Sequence, residues 1–143
     1  SKLYAMAGMR VGFAVGAPAI IKMMKDQVAG EKLNYPGVTA ALVSLDDEPF
    51  QEYSRASNLE SRKILASCFD KLGVKYLPSS TNFMFFELNE PIHAFQKKMA
   101  ARNILVGRPF PPAMTWCRIS LGTPQEMAYV ANELTKMRAE GVF

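Results

Sequence analysis

The spacing of apolar positions changes several times along the chain, and each change marks an element. Residues 11–16 form a short apolar run punctuated by Gly12 and Gly16, the pattern of a buried strand whose neighbours approach closely. Pro18 suits a first helical turn, where its missing N–H costs nothing. Ile20, Ile21, Met24 and Val28 then recur at helical spacing, predicting a helix that ends at Gly30. Asn34-Tyr35-Pro36-Gly37 reads as a turn, followed by a short helix on Val38, Ala41, Leu42 and Leu45. Asp46 and Asp47 before Glu48 and Pro49 signal a helix start. Phe50, Tyr53, Leu59, Ile64, Cys68, Phe69 and Leu72 then approximate one stripe, predicting a long amphipathic helix down to Gly73.

The pattern shortens after Gly73. Residues 74–77 and 83–88 predict two strands whose link is too tight for a crossover helix, so they should pair antiparallel. Pro91 opens a helix on Ile92, Phe95, Met99 and Arg102. Residues 104–106 predict another strand before a proline-rich loop at 109–112. Residues 116–121 predict a last strand. Thr123-Pro124-Gln125-Glu126 is a capping box that starts a helix on Met127, Val130, Ala131, Leu134 and Met137. The order βαα, a long α, then ββαββα predicts an α/β fold with helices packed on a small mixed or antiparallel sheet.

Composition narrows what such a fold can be. A chain of 143 residues, 49% apolar and 21% charged, has material for one domain with a core and is unlike a disordered tail. The net charge of +4 is scattered without a basic run of five, which argues against a nucleic-acid partner. Cys68 and Cys117 belong to no paired motif and His93 is the only histidine, so no metal site is expected and the thiols should be buried and reduced. No apolar stretch reaches the roughly 18 residues of a membrane span, so no membrane partner is expected. The chain opens on Ser1 and Lys2 without an initiator Met, and the expectation is a piece of a longer protein.

The chemistry concentrates at two places. The first is Ser1-Lys2-Leu3-Tyr4-Ala5-Met6-Ala7-Gly8-Met9-Arg10-Val11-Gly12, with a lysine and an arginine eight positions apart across a glycine turn. A primary amine can form a Schiff base, and a planar guanidinium can donate two parallel hydrogen bonds to an anion. The second is Trp116-Cys117-Arg118-Ile119-Ser120-Leu121-Gly122-Thr123, where Arg118 sits inside an apolar strand. A charge there needs a bound anion or an internal carboxylate.

Together these segments resemble the Ser-Lys-x-x-x-x-x-Gly-x-Arg-x-Gly and Arg-Ile-Ser-x-Gly-Thr motifs of class I/II aminotransferases. Within that group the chain is most similar to histidinol-phosphate aminotransferases. Pro78-Ser79-Ser80-Thr81-Asn82-Phe83 resembles a third segment of the family, and the three occur in family order. The resemblance implies the C-terminal part of a fold type I transferase dependent on pyridoxal 5'-phosphate. Residues 1–33 would end the large cofactor-binding domain and 34–143 would form the small C-terminal domain.

The resemblance also assigns roles. Lys2 would carry the cofactor and act as the catalytic base, with Ser1 and Arg10 beside it and Arg10 on the cofactor phosphate. Arg118 would hold the substrate carboxylate or phosphate, with Asn82 and Arg108 as further substrate contacts. Arg108 stands one position beyond the family's arginine because Gly107 intervenes. The implied reaction moves an amino group between an amino acid or amino phosphate ester and a 2-oxo acid, in a cytoplasmic homodimer. The family's N-terminal half, with the aspartate that makes the ring an electron sink, precedes this segment, so these 143 residues alone are expected to be inactive. Other readings are a decarboxylase or synthase on the same fold, and a non-catalytic folded module.

Overall fold

A computed structural model describes residues 2–28 and 33–143, in two compact units, Ser1–Arg55 and Ala56–Phe143. In the first unit a 3-10 turn at Ala7–Met9 precedes helices α1 (Pro18–Gln27) and α2 (Tyr35–Asp46) and the start of α3 (Glu48–Leu72). In the second, the rest of α3 is followed by β1 (Phe83–Glu87), α4 (Ile92–Ala100), β2 (Trp116–Ser120) and α5 (Pro124–Ala139). The fold is α/β, and the sheet is one antiparallel pair, with Phe83 opposite Ser120 and Phe85 opposite Arg118.

The second unit is built around alternation along that pair. Met84 and Phe86 of β1 and Cys117 and Ile119 of β2 point to one face and are buried in a cluster with residues of α3, α4 and α5. Phe69 of α3 stacks on Phe86 at 4.6 Å, and Phe86 meets Phe95 of α4 edge-on at 5.9 Å. Each such side chain contributes about 1.5–3 kcal/mol by leaving water, so this layer carries most of the unit's stability. The other face of the pair carries Phe83, Phe85, Trp116 and Arg118, all partly exposed.

Caps explain where the helices stand. Gly73 ends α3 in the left-handed region at φ 67°, where a side chain would be strained. Thr123 accepts from the Glu126 N–H while the Glu126 carboxylate accepts from the Thr123 N–H, the reciprocal box expected from sequence, with Pro124 in the first turn of α5. That pairing holds the Glu126 carboxyl below its usual range.

Four sequence expectations change. Residues 11–16 are not a strand. Among the described residues nothing pairs with their backbone, and Phe13 and Val15 are more than four-fifths exposed. Asn34 to Gly37 is not a free turn but the start of α2. The Asn34 side chain caps the Gly37 N–H at 3.3 Å, and Pro36 takes a position where no N–H is needed. Residues 74–77 form a single antiparallel bridge, Tyr76 to Phe86, rather than a full strand. Residues 104–106 stay irregular because α4 ends through Asn103 at φ 58°, leaving only the Gly107 N–H to reach a strand carbonyl. The expected end of α1 at Gly30 lies outside the described residues.

Candidate active site

In the first unit, Lys2 opens a tight bend in which its carbonyl accepts from the Ala5 N–H at 3.1 Å. Ala5 and Arg10 both sit in the left-handed region, at φ 51° and 52°. Two such non-glycine residues within six positions each cost about 1–3 kcal/mol, a strain found where a fold must aim particular side chains. Arg10 donates through Nη1 to the Ala7 carbonyl at 2.9 Å, which braces the guanidinium against the 3-10 turn. The bend is fastened to α2 twice: Asn34 Nδ2 donates to the Met9 carbonyl at 2.8 Å and Ser44 Oγ to the Met6 sulfur at 3.3 Å.

Lys2 and Arg10 are both exposed, so the described residues do not supply the desolvation that Schiff-base chemistry at a lysine requires. Their donor set, one primary amine and one braced guanidinium in the same unit, fits an aldehyde that carries a phosphate. Ser1 lies outside the described residues.

In the second unit, a cleft of about 520 Å³ opens on the sheet face away from the core. Its walls are mostly apolar, including Leu77, Phe83, Phe85, Phe110 and Pro112, and Arg118 lines it. The guanidinium carbon of Arg118 lies 5.2 Å from the centre of the Phe83 ring and 4.9 Å from that of Phe110. Its Nε is buried and, among the described residues, has no hydrogen-bond partner. Among the described residues no carboxylate pairs with Arg118. Glu87, the acid on the same face of β1, lies 3.8 Å from Lys75 instead. As a half-buried cation that lines an apolar cleft without a carboxylate partner, Arg118 is a candidate for an anionic ligand.

The other two expected substrate contacts are placed differently. Asn82 is exposed at the end of the loop before β1, where its carbonyl accepts from the Leu121 N–H at 2.8 Å. Arg108 is exposed outside the cleft wall, with its guanidinium 4.6 Å from the Phe110 ring centre. The loop carrying Ser79, Thr81 and Asn82 is held by α3. Arg62 donates to the Thr81 carbonyl at 2.7 Å and Asn58 to the same oxygen at 3.3 Å.

Sequence reading missed Phe110, Arg62 and Asn58. Only Phe110 had a signal, as the one aromatic in a proline-rich loop. The two thiols behave as expected: Cys68 and Cys117 are buried, and burial pushes Cys117 up to about 12.

The sequence pattern of the class I and II aminotransferases matches residues 1–134. Histidinol-phosphate aminotransferase 2 of Legionella pneumophila is 34% identical over 128 residues, covering 88% of this chain and 34% of that protein. The histidinol-phosphate aminotransferase of Campylobacter concisus is 31% identical, covering 96% of this chain and 38% of its own length. The chain thus spans about a third of the length of the curated relatives it matches. Among solved structures, a proposed histidinol-phosphate aminotransferase from Erwinia carotovora atroseptica superposes with a TM-score of 0.96 at 50% identity, over 100% of this chain and 41% of that one. The Sinorhizobium meliloti histidinol-phosphate aminotransferase, solved with pyridoxal-5'-phosphate, shares the fold at a TM-score of 0.83 and 23% identity, over 98% of this chain and 39% of that one. With the opening motif, the Arg118 strand and the fold all in agreement, the chain belongs to the class I and II aminotransferase family.

Proposed function

We propose that the whole protein is a pyridoxal-phosphate-dependent aminotransferase of the histidinol-phosphate type, and that this chain supplies its carboxy-terminal share of the active site. The observation that carries the reading is Arg118, a half-buried guanidinium with an unpaired Nε in an apolar cleft, on a chain that also presents Lys2 and Arg10. When bound, pyridoxal phosphate would supply an aldehyde able to condense with an amine and a ring able to accept electrons from the substrate Cα. Lys2 would hold the cofactor through Nζ and move the proton at the substrate Cα. Arg10 would bind the phosphate with the donors that the Ala7 carbonyl does not take, and Ser1 is a further cofactor-binding residue on this reading. Arg118 fixes the substrate by its carboxylate or phosphate, so that the Cα–H bond keeps one orientation. Asn82 and Arg108 contribute at the rim.

The division of labour follows from this reading. Residues 1–33 close the cofactor domain and 34–143 form the small domain, while the desolvation missing around Lys2 comes from the rest of a cytoplasmic homodimer. The substrates are an amino acid or amino phosphate ester and a 2-oxo acid. The test is borohydride reduction of the whole protein after incubation with pyridoxal phosphate, with the adduct mapped by peptide mass spectrometry. A single adduct on Lys2 is expected, together with amino transfer to a 2-oxo acid. Scattered labelling that spares Lys2 overturns the assignment.

A further inference from the structure

Arg118 and Arg108 share one ring. Their guanidinium carbons lie 4.9 Å and 4.6 Å from the centre of Phe110, and among the described residues neither has a carboxylate partner. Two like charges on one ring repel, and among the described residues no carboxylate pairs with either. What stands in place of a counter-charge is the electron-rich face of an aromatic ring, which attracts a cation without neutralising it. Phe110 is itself held firmly. Its carbonyl accepts from the Ala113 N–H at 2.8 Å, and its ring meets Phe85, the residue directly opposite Arg118 in the strand register, edge-on at 6.0 Å.

We propose that Phe110 is the positioning residue of the substrate-anion site: its ring holds the Arg118 guanidinium against the cleft wall with charge and spare donors intact, where a carboxylate would have consumed them. The inference rests on Arg118 being the substrate-anion residue and goes beyond it by naming what aims it. An ion pair with Asp or Glu would fix an arginine equally well, but a substrate anion would then have to displace that partner. A ring fixes the guanidinium while leaving its hydrogen-bonding edge available. The exposed Arg108, on the same ring, adds attraction for the incoming anion without entering the cleft.

The experiment titrates the whole protein with phenylacetate and with inorganic phosphate by calorimetry, in its native form and with three changes at position 110. Phe110→Tyr keeps the π face, Phe110→Leu keeps an apolar group and loses the face, and trifluorinated phenylalanine keeps the shape while withdrawing the ring's negative charge. The expected result is native-like affinity for Phe110→Tyr and about tenfold weaker binding for the other two, the loss of one partly desolvated cation–π contact. Thermal unfolding on the same samples identifies a variant that fails by misfolding, and the fluorinated ring, being nearly isosteric, then decides. Native-like binding by the fluorinated form overturns the proposal, as does a native whole protein that binds neither anion. The labelling of Lys2 is independent of position 110. A Lys2 adduct with indifferent Phe110 variants therefore removes only this inference, and anion binding that follows the ring without a Lys2 adduct removes only the reading beneath it.

Discussion

Gly107 offers a sharp test of how the Arg118 strand is held. It is the residue inserted between the apolar run at 104–106 and Arg108, and its N–H donates to the Arg118 carbonyl at 2.9 Å. A Cβ built there meets that carbonyl oxygen at 2.5 Å and the Arg118 Cβ at 3.3 Å. The oxygen belongs to the backbone and cannot rotate away, so Gly107→Ala must push the two segments apart and break the bond between them. Overpacking of this kind costs about 1–3 kcal/mol and the lost hydrogen bond about 1 kcal/mol. Reduced freedom of the unfolded chain returns about 0.4–1 kcal/mol, because Gly107 is not in the left-handed region and alanine can adopt its conformation.

The net cost is about 2 kcal/mol, which for a unit of this size lowers the melting temperature by roughly 10 °C. The same displacement moves Arg118, so phenylacetate binding should weaken in parallel. Gly73→Ala is the control. Nothing lies within 4 Å of its added Cβ, and its penalty comes only from the positive φ of 67°. It should lose about 1 kcal/mol and leave anion binding unchanged. The assay is thermal unfolding by circular dichroism with calorimetric titration of each variant. Gly107→Ala melting within a degree of the native chain, with unaltered affinity, would refute the argument that this close approach places Arg118.

Two further outcomes follow from buried groups. Ser61 is fully buried and donates to the Gly122 carbonyl at 2.8 Å, so Ser61→Ala strands that acceptor and should cost about 1–3 kcal/mol in urea unfolding, whereas a change of a few tenths would mean that water replaces the hydroxyl. Burial raises the Cys117 thiol from 9.0 to about 12, so the unfolded chain releases this proton first. The stability it contributes is whole below pH 9 and lost as pH climbs toward 12. Cys117→Ala should therefore flatten the alkaline limb of the stability profile, and an identical slope in native and variant would count against a buried, neutral thiol.

What the sequence made legible was local. The capping box at Thr123, the glycine stop at Gly73 and the strands β1 and β2 each depend on residues within a few positions of one another, and each was found where expected. The misses were non-local. Residues 11–16 and 104–106 have strand-like composition, but a strand exists only where a partner bonds its backbone, and composition does not report the partner. Lys2, Arg10 and Arg118 could be nominated because their spacing within short motifs resembles a family. Phe110 carried only the weak signal of a lone aromatic in a proline-rich loop, since its role depends on that loop returning its ring to an arginine on another segment. Arg62 and Asn58 were hidden for a similar reason: on a helix surface they look like ordinary solvated side chains.

Those two residues show how the site is braced. Within the second unit α3 reaches the sheet pair at two points. Asn58 and Arg62 grip the Thr81 carbonyl just before β1, and the buried Ser61 grips the Gly122 carbonyl just after β2. Thr81 and Gly122 flank the Phe83 and Ser120 register pair, so little more than one turn of helix surface fixes the open end of the hairpin-like pair from which Arg118 is offset by two residues. The helix register sets this arrangement. Asn58 and Arg62 stand four apart and share one face, while Ser61 points inward from the adjacent stripe. An exposed loop alone would leave Asn82 and the cleft rim free to wander. Tied to a helix whose inner face is buried at Leu65, Cys68 and Phe69, the rim inherits the rigidity of the core, which a site that must hold one anion in one orientation requires.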